Sequence, residues 1–293
     1  VCLLIALSWV LDGTPLLMAA NRDEFYQRPA EVITVLRDHQ PRILGGRDLV
    51  ARGTWLAVNS HGVVAGLTNQ PSARRRDDTR RSRGELPLAF AAYPDAATAV
   101  AKVCAEVDPA DYNPCWLLVG DRHALFSVGL AGGHRPVVSQ LPPGSYVLEN
   151  VPLDDDSAKA RQVAGMVAAG IAGKTGKTGR NEPGGVHPAD QAIGAGDGSR
   201  TGTAAGHSLP RVDEAEEALA EVLRDHRPAS GTEGPATGEP ARPAGLSAAC
   251  VHTASYGTRS AMIVSVGDAG LPRVWVADGP PCRAPFQDVS ALW

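Results

Sequence analysis

The first twenty residues constrain this chain more than any other stretch. An apolar run, Val1 to Leu11, meets Asp12-Gly13 and is followed at once by a second apolar run, Thr14 to Ala20. Two such runs broken by Asp-Gly predict a pair of strands joined as a β-hairpin. The opening run has no basic start and is interrupted at Asp12. It is therefore too short to cross a bilayer and a poor secretory signal, and no other run reaches the roughly 18 apolar residues a span requires. No membrane insertion is expected. Nor is a nucleic-acid partner, because Lys and Arg total 28 against 32 Asp and Glu, whereas a general nucleic-acid binder carries a basic excess.

The rest of the first 69 residues continues in the same texture. Strands are expected at Glu31–Leu36, Thr54–Val58 and Val63–Leu67, with Ile43–Asp48 read as a turn before a strand whose Trp55 packs inward. Ser82-Arg83-Gly84-Glu85 has capping-box spacing and predicts a helix start, closed by Pro94. A second helix is expected over Asp95–Val107, then strands at Trp116–Gly120, Ala124–Val128, Pro136–Ser139 and Tyr146–Leu148, and a helix at Ser157–Ala169. Arg211–His226 regains helical spacing, and Ala248–Val276 returns to strands.

Glycine and proline, 32 and 23 of 293 residues, are unevenly spread. Residues 170–206 hold 11 glycines and no aromatic residue, and 229–245 is again rich in Gly and Pro. Such stretches bury too little surface to offset the entropy of ordering them. The expectation is one domain over residues 1–293 with two flexible insertions, 170–206 and 229–245.

Several motifs dissolve on inspection. Gly-Lys-Thr occurs at 173–175 and 176–178, but the earlier glycine of a phosphate loop is absent in both cases. The arginine-rich run at 74–83 contains Asp77 and Asp78 and reads as a solvated loop. Five cysteines, an odd number without a C-x-x-C pair, indicate neither a disulfide framework nor a zinc knuckle, so reduced thiols and a cytoplasmic location are expected. Cys250 and His252 would share a strand face and are read as packing. No metal and no cofactor is expected.

The chemistry concentrates at Cys2. If residue 1 is an initiator that is removed, Cys2 carries both a thiol and a free α-amine. The amine, with an ordinary pKa of about 7.7–8.0, is poised as a base for its own nucleophile. Asp23, in Asn21-Arg22-Asp23-Glu24 at the end of the second strand, would lie near that amine and could hold it. Taken singly, Cys2 also reads as a buried strand cysteine, and Arg22 with Asp23 as an ion pair closing a loop.

Eight short segments occur in order: the Cys2 opening, Asn21-Arg22-Asp23-Glu24, Leu44-Gly45-Gly46-Arg47-Asp48, Gly53-Thr54-Trp55-Leu56, Gly66-Leu67-Thr68-Asn69, Ser82-Arg83-Gly84-Glu85, Glu149-Asn150-Val151-Pro152 and Tyr256-Gly257-Thr258-Arg259-Ser260. Together they resemble the NRDE family, which includes the transport and Golgi organisation protein 2 homologues. That family is in turn similar to N-terminal nucleophile hydrolases of the choloylglycine and penicillin V acylase type. The resemblance implies an α+β fold, a four-layer αββα sandwich with the nucleophile at the start of a central strand. It assigns Cys2 as nucleophile, Asp23 as the contact of its amine, Asn69 and Asn150 as oxyanion-hole residues, and Arg259, more loosely, as a late arginine beside the nucleophile. Asn21 and Arg22 are candidate binding residues. One position departs: the acylases carry an arginine three residues before the aspartate, where this chain has Ala20. Two functions follow as expectations. One is an amidohydrolase acting on a non-peptide C–N bond of a small acylated metabolite. The other is a non-catalytic protein on the same scaffold that binds or traffics haem or a lipid metabolite.

Overall fold

The computed structural model describes residues 3–70, 76–131, 133–155, 157–175, 209–230 and 246–293. Strand β1, Leu3–Leu11, turns at Asp12-Gly13 into β2, Thr14–Phe25, with Leu3 opposite Asn21 and Ser8 opposite Leu16. Gly13 takes the turn at φ +60°, a conformation that costs a side-chain-bearing residue energy. The chain continues through β3 (Ala30–Arg37), β4 (Ile43–Asp48), β5 (Leu56–Asn59), β6 (Val64–Asn69), α1 (Glu85–Phe90), α2 (Ala96–Glu106), β7 (Cys115–Gly120), β8 (Leu125–Leu130), β9 (Val137–Leu141), β10 (Gly144–Leu148), α3 (Ala158–Thr175), α4 (Val212–Arg224), β11 (Tyr256–Val266), β12 (Arg273–Ala277) and β13 (Phe286–Asp288).

Two antiparallel sheets result, in the orders β10-β1-β2-β11-β12-β13 and β3-β4-β5-β6-β7-β8-β9. Three apolar layers hold them. On the outer face of the first sheet, Leu3, Ile5, Leu7, Leu17 and Ile263 pack against Val163 and Val167 of α3 and Leu219 and Leu223 of α4. Its inner face sends Leu4, Ala6, Leu16, Met18 and Val264 against Leu44, Leu56, Val58 and Leu118 of the second sheet. The far face of that sheet, with Ala65, Leu117 and Val119, packs on Leu86, Phe90, Val100 and Val103 of α1 and α2. The architecture is the expected four-layer αββα sandwich. The opening strands read as unbroken apolar runs because both of their faces are buried, not one.

Three local expectations need correction. Ile43–Asp48, read as a turn, is strand β4: a Cβ at Gly46 would come within 2.0 Å of the Trp55 ring, and one at Gly45 within 2.4 Å of the Leu56 carbonyl oxygen. These glycines mark close approach inside a sheet rather than a turn. The Ser82 capping box does not form; α1 starts after Gly84, and Glu85 pairs instead with Arg81. Helix α3 runs on to Thr175, so residues 170–175 are helical rather than the start of an insertion. Residues 176–206 of the first expected insertion and 231–245 of the second lie outside the described residues. Asp95 does cap α2, accepting a hydrogen bond from the Thr98 backbone N–H at 2.7 Å.

Candidate active site

Strand β2 does not stop at the Asn-Arg-Asp-Glu segment but runs through it, so strand alternation decides where each side chain goes. Arg22 follows Ala20 onto the inner face, between the sheets. There its guanidinium lies 4.6 Å from the Trp55 ring centre and 3.6 Å from Asp48. Asn21 and Asp23 follow Ala19 onto the helix-covered face. The Asn21 amide donates to the carbonyls of Leu223, at the end of α4, and Ala249, at 2.9 and 2.8 Å.

Asp23 is 4% exposed. One carboxylate oxygen accepts a 2.6 Å hydrogen bond from the Thr258 hydroxyl. Burial pushes this carboxyl above its ordinary pKa, against the pull of the Lys159 charge, the Thr258 hydrogen bond and Arg22. Lys159, the second residue of α3, is itself 3% exposed. Its Nζ, the Asp23 Oδ2, the Asn21 Oδ1 and the Asn150 Oδ1 are all buried without a hydrogen-bond partner among the described residues. An orphaned buried polar atom typically costs about 1–3 kcal/mol. Four of them around one end of a sheet mark a polar corner that the described residues leave open.

Their positions share a logic. In the order β10-β1-β2, β1 begins at Leu3, which pairs with Asn21 of β2, and its next residue, Leu4, pairs with Leu148 of β10. Beyond that line β10 leads to Asn150, which is 7% exposed, and β2 continues to Asp23. Cys2, one peptide bond before Leu3, lies outside the described residues. Neither Thr258 nor Lys159 was a candidate from sequence. Thr258 is 235 residues from the carboxylate it touches, and Lys159 looks like an ordinary helix lysine until its burial is known.

Asn69, exposed at the end of β6, faces a cleft of about 90 Å³ whose lining also includes Arg22, Asp23, Asp48 and Trp55. One wall is backbone against backbone. The Thr54 N–H donates to the Gly84 carbonyl at 2.9 Å, and a Cβ on Gly53 would fall 2.5 Å from Gly84. Two of the short segments singled out in the sequence therefore meet there. Arg28, Arg76, Arg81 and Arg83 complete a strongly basic rim, so part of the run read as a solvated loop borders the cleft. Burial would raise the pKa of Asp48. The Arg28 hydrogen bond at 2.6 Å and the backbone N–H groups of Ala51 and Val50 overcome that and hold it below the ordinary value. Arg259 is not among the lining residues; its guanidinium donates to the carbonyls of Phe25 and Tyr26 and lies over the Tyr26 ring. The structure thus gathers Asp23, Asn69 and Arg22 at one cleft, while Asn150 is buried past the end of β10 and does not line it, and Arg259 turns to the outer end of β2.

A family model for Transport and Golgi organisation 2 matches residues 2–184. The chain belongs to the Transport and Golgi organisation 2 family. Its relatives include the Transport and Golgi organization protein 2 homologs of Bos taurus, 37% identical over 150 residues, and of Homo sapiens, 35% identical over 150 residues. Each match takes in 47% of this chain and 51% of the relative, so the chain spans about half the length of the curated relatives it matches. Among solved structures, it is similar to a Caenorhabditis elegans ortholog of N-acylethanolamine-hydrolyzing acid amidase (TM-score 0.49, 9% identity, 89% of this chain and 92% of that one). It is also similar to penicillin V acylase from Agrobacterium tumefaciens (TM-score 0.48, 9% identity, 99% and 98%).

No helix among the described residues is long and apolar enough to cross a membrane.

Proposed function

We propose that this chain is a cysteine N-terminal nucleophile amidohydrolase that cleaves a linear, non-peptide amide of a small acylated metabolite. The observation that carries the reading is the set of buried polar atoms on Asn21, Asp23, Asn150 and Lys159 that have no hydrogen-bond partner among the described residues, at the end of the sheet where β1 begins. Removal of residue 1 gives Cys2 a free α-amine. That amine takes the thiol proton as Cys2 Sγ attacks the acyl carbon, and Asp23 orients the resulting ammonium. Asn69 and Asn150 donate amide N–H groups to the oxyanion, where preorganised donors stabilise developing charge. The ammonium then returns its proton to the departing amine. Water, deprotonated by the same amine, cleaves the S-acyl enzyme and regenerates the thiol. Two other thiols are poor competitors: burial pushes Cys104 up to about 11 and Cys115 up to about 12, and the thiolate is the reactive form.

The test is covalent labelling of the full chain by an electrophilic acyl probe. Wild type is expected to label once, and Cys2→Ala not at all. Undiminished labelling of Cys2→Ala, mapped to another cysteine, contradicts the reading.

A second reading, a non-catalytic binder of haem or another anionic metabolite, draws on the cleft rim, where five arginines face Asp23, Glu24 and Asp48. A basic pocket favours a carboxylate or phosphate, since guanidinium pairs with such groups bidentately. Haem titration separates the two: a saturable shift of the Soret band, abolished in Arg28→Ala with Arg83→Ala, supports the binder, and an unaltered spectrum counts against it.

A further inference from the structure

Away from the Asp23 corner, four residues that the sequence scatters come together. His226 follows the end of α4, Cys250 and His252 lie in the loop before β11, and Cys282 sits between β12 and β13. Cys250 and His252 are not on a strand, as their spacing had indicated, and they do not simply pack. One ligand atom from each of the four residues lies within 4.8 Å of the other three. His252 Nε2 is 3.6 Å from the Cys250 sulfur and 3.3 Å from the Cys282 sulfur. Bond lengths of about 2.3 Å to sulfur and 2.0–2.1 Å to nitrogen imply ligand separations of roughly 3.3–3.8 Å in a tetrahedral zinc site. The observed spacings need only a small contraction to meet them.

The arrangement also has the support that metal-binding histidines require. His226 Nδ1 is 3.2 Å from the Cys250 carbonyl oxygen. A proton there fixes the tautomer and leaves Nε2 with its lone pair, the pattern by which backbone carbonyls orient ligating imidazoles. The Cys250 N–H in turn donates to the Asp225 carbonyl at 2.8 Å, tying the loop to the end of α4.

We propose that His226, Cys250, His252 and Cys282 form a closed Cys2His2 site for a soft, tetrahedral divalent cation, zinc by chemistry. Mixed thiolate and imidazole ligands select zinc over magnesium or calcium, and four protein ligands leave no open position for substrate. The role is structural. Two thiolates balance the ion's charge, so neither the partial burial nor the nearby Arg283 opposes it. The ion would clamp the loop directly beside Val251, whose N–H donates to the Thr258 hydroxyl oxygen at 2.8 Å, the same hydroxyl that holds Asp23. This site is independent of whether Cys2 is catalytic. The spacing, His226 and Cys250 on either side of a Gly/Pro-rich stretch and Cys282 beyond two strands, matches no short metal motif, which is why it cannot be seen in the sequence.

The test is the metal content of the full chain, purified without chelating resin or reductant and measured by elemental mass spectrometry. About one zinc per chain is expected for wild type and Cys104→Ser, and under about one-tenth for Cys250→Ser with Cys282→Ser. Because that double variant can lose its fold, the exposed ligand is tested separately: His226→Gln should release zinc to a chelator at least about tenfold faster than wild type. Cobalt added to zinc-free wild type should give the strong visible and thiolate charge-transfer bands of a tetrahedral site. Two results overturn the proposal: substoichiometric zinc with no cobalt bands on titration, or zinc retained in full by the double cysteine variant.

Discussion

Two buried polar corners of this molecule answer opposite needs. At the end of β5, Asn59 is 0% exposed and fully used. Its amide donates to the carbonyls of Ala91 and Tyr93 at 2.9 and 2.7 Å, and its Oδ1 accepts from the N–H groups of His61 and Val63 at 2.9 Å each. At the end of β2, Asn21 and Asp23 are also buried, yet among the described residues each keeps an oxygen without a hydrogen-bond partner, as does Asn150, and the Lys159 ammonium finds none there either. The first corner is a joint between the second sheet and the segment after α1, with every bond closed. The second leaves four such atoms open among the described residues, at the end of the sheet where β1 begins, and the proposed function draws on that opening. Burial alone does not distinguish structural from functional polar residues; the closure of their hydrogen bonds does.

That contrast can be broken by mutation. The largest expected effect on stability is from Asn59→Ala, which strands two carbonyls and two N–H groups at once. A loss of about 3 kcal/mol in denaturant unfolding is expected, with the folded fraction still labelled by an acyl probe. Asp23→Asn should behave in reverse, with labelling lost and stability at neutral pH equal to or above wild type. The sign follows from linkage. Burial raises the folded-state pKa of Asp23, so its contribution is fully present below about 3.9, the unfolded value, and is lost as pH rises through the folded value. The difference in Tm between Asp23→Asn and wild type should therefore grow from about pH 4 upward and vanish below it. A difference that does not change with pH would show that the carboxylate is not desolvated.

Lys159→Met sharpens the same corner. The Lys159 charge holds the Asp23 pKa down, so its removal should raise it further and move the acid limb of the labelling profile to higher pH. The rate at neutral pH should fall on the order of tenfold. An unshifted limb would show that the two groups are uncoupled. The smallest effect belongs to the rim. The Arg76 side chain is 53% exposed, and Arg76→Ala should weaken binding of an anionic acyl probe only about two- to fivefold, an effect that high salt erases. A neutral probe should be unaffected.

The sequence reveals the first corner poorly and the second one well. The hairpin, the helix capped at Asp95 and the Asn-Arg-Asp-Glu segment are written in local patterns, so the central strands and Asp23 could be found without coordinates. What stayed hidden depends on distance along the chain. Thr258 reaches Asp23 across 235 residues, and the buried Lys159 looks like any helix lysine. Gly45 and Gly46 imitate a turn because the Leu56 carbonyl and the Trp55 ring that forbid side chains there are contacts, not a pattern. The four residues of the Cys2His2 cluster are brought together only once α4, the loop before β11 and the turn after β12 are packed. Asn69 and Asn150 came from resemblance; burial distinguishes them, the first open at the cleft and the second buried and not lining it.

The central claim is that Cys2 begins the mature chain and is the group the Asp23 corner serves. Intact-mass and N-terminal peptide analysis of the protein after reaction with an acyl probe tests it most directly. The account predicts a chain that lacks residue 1 and carries one acyl group on the sulfur of Cys2. A chain that retains residue 1, or an acyl group found on Cys104, Cys115, Cys250 or Cys282 instead, would contradict it.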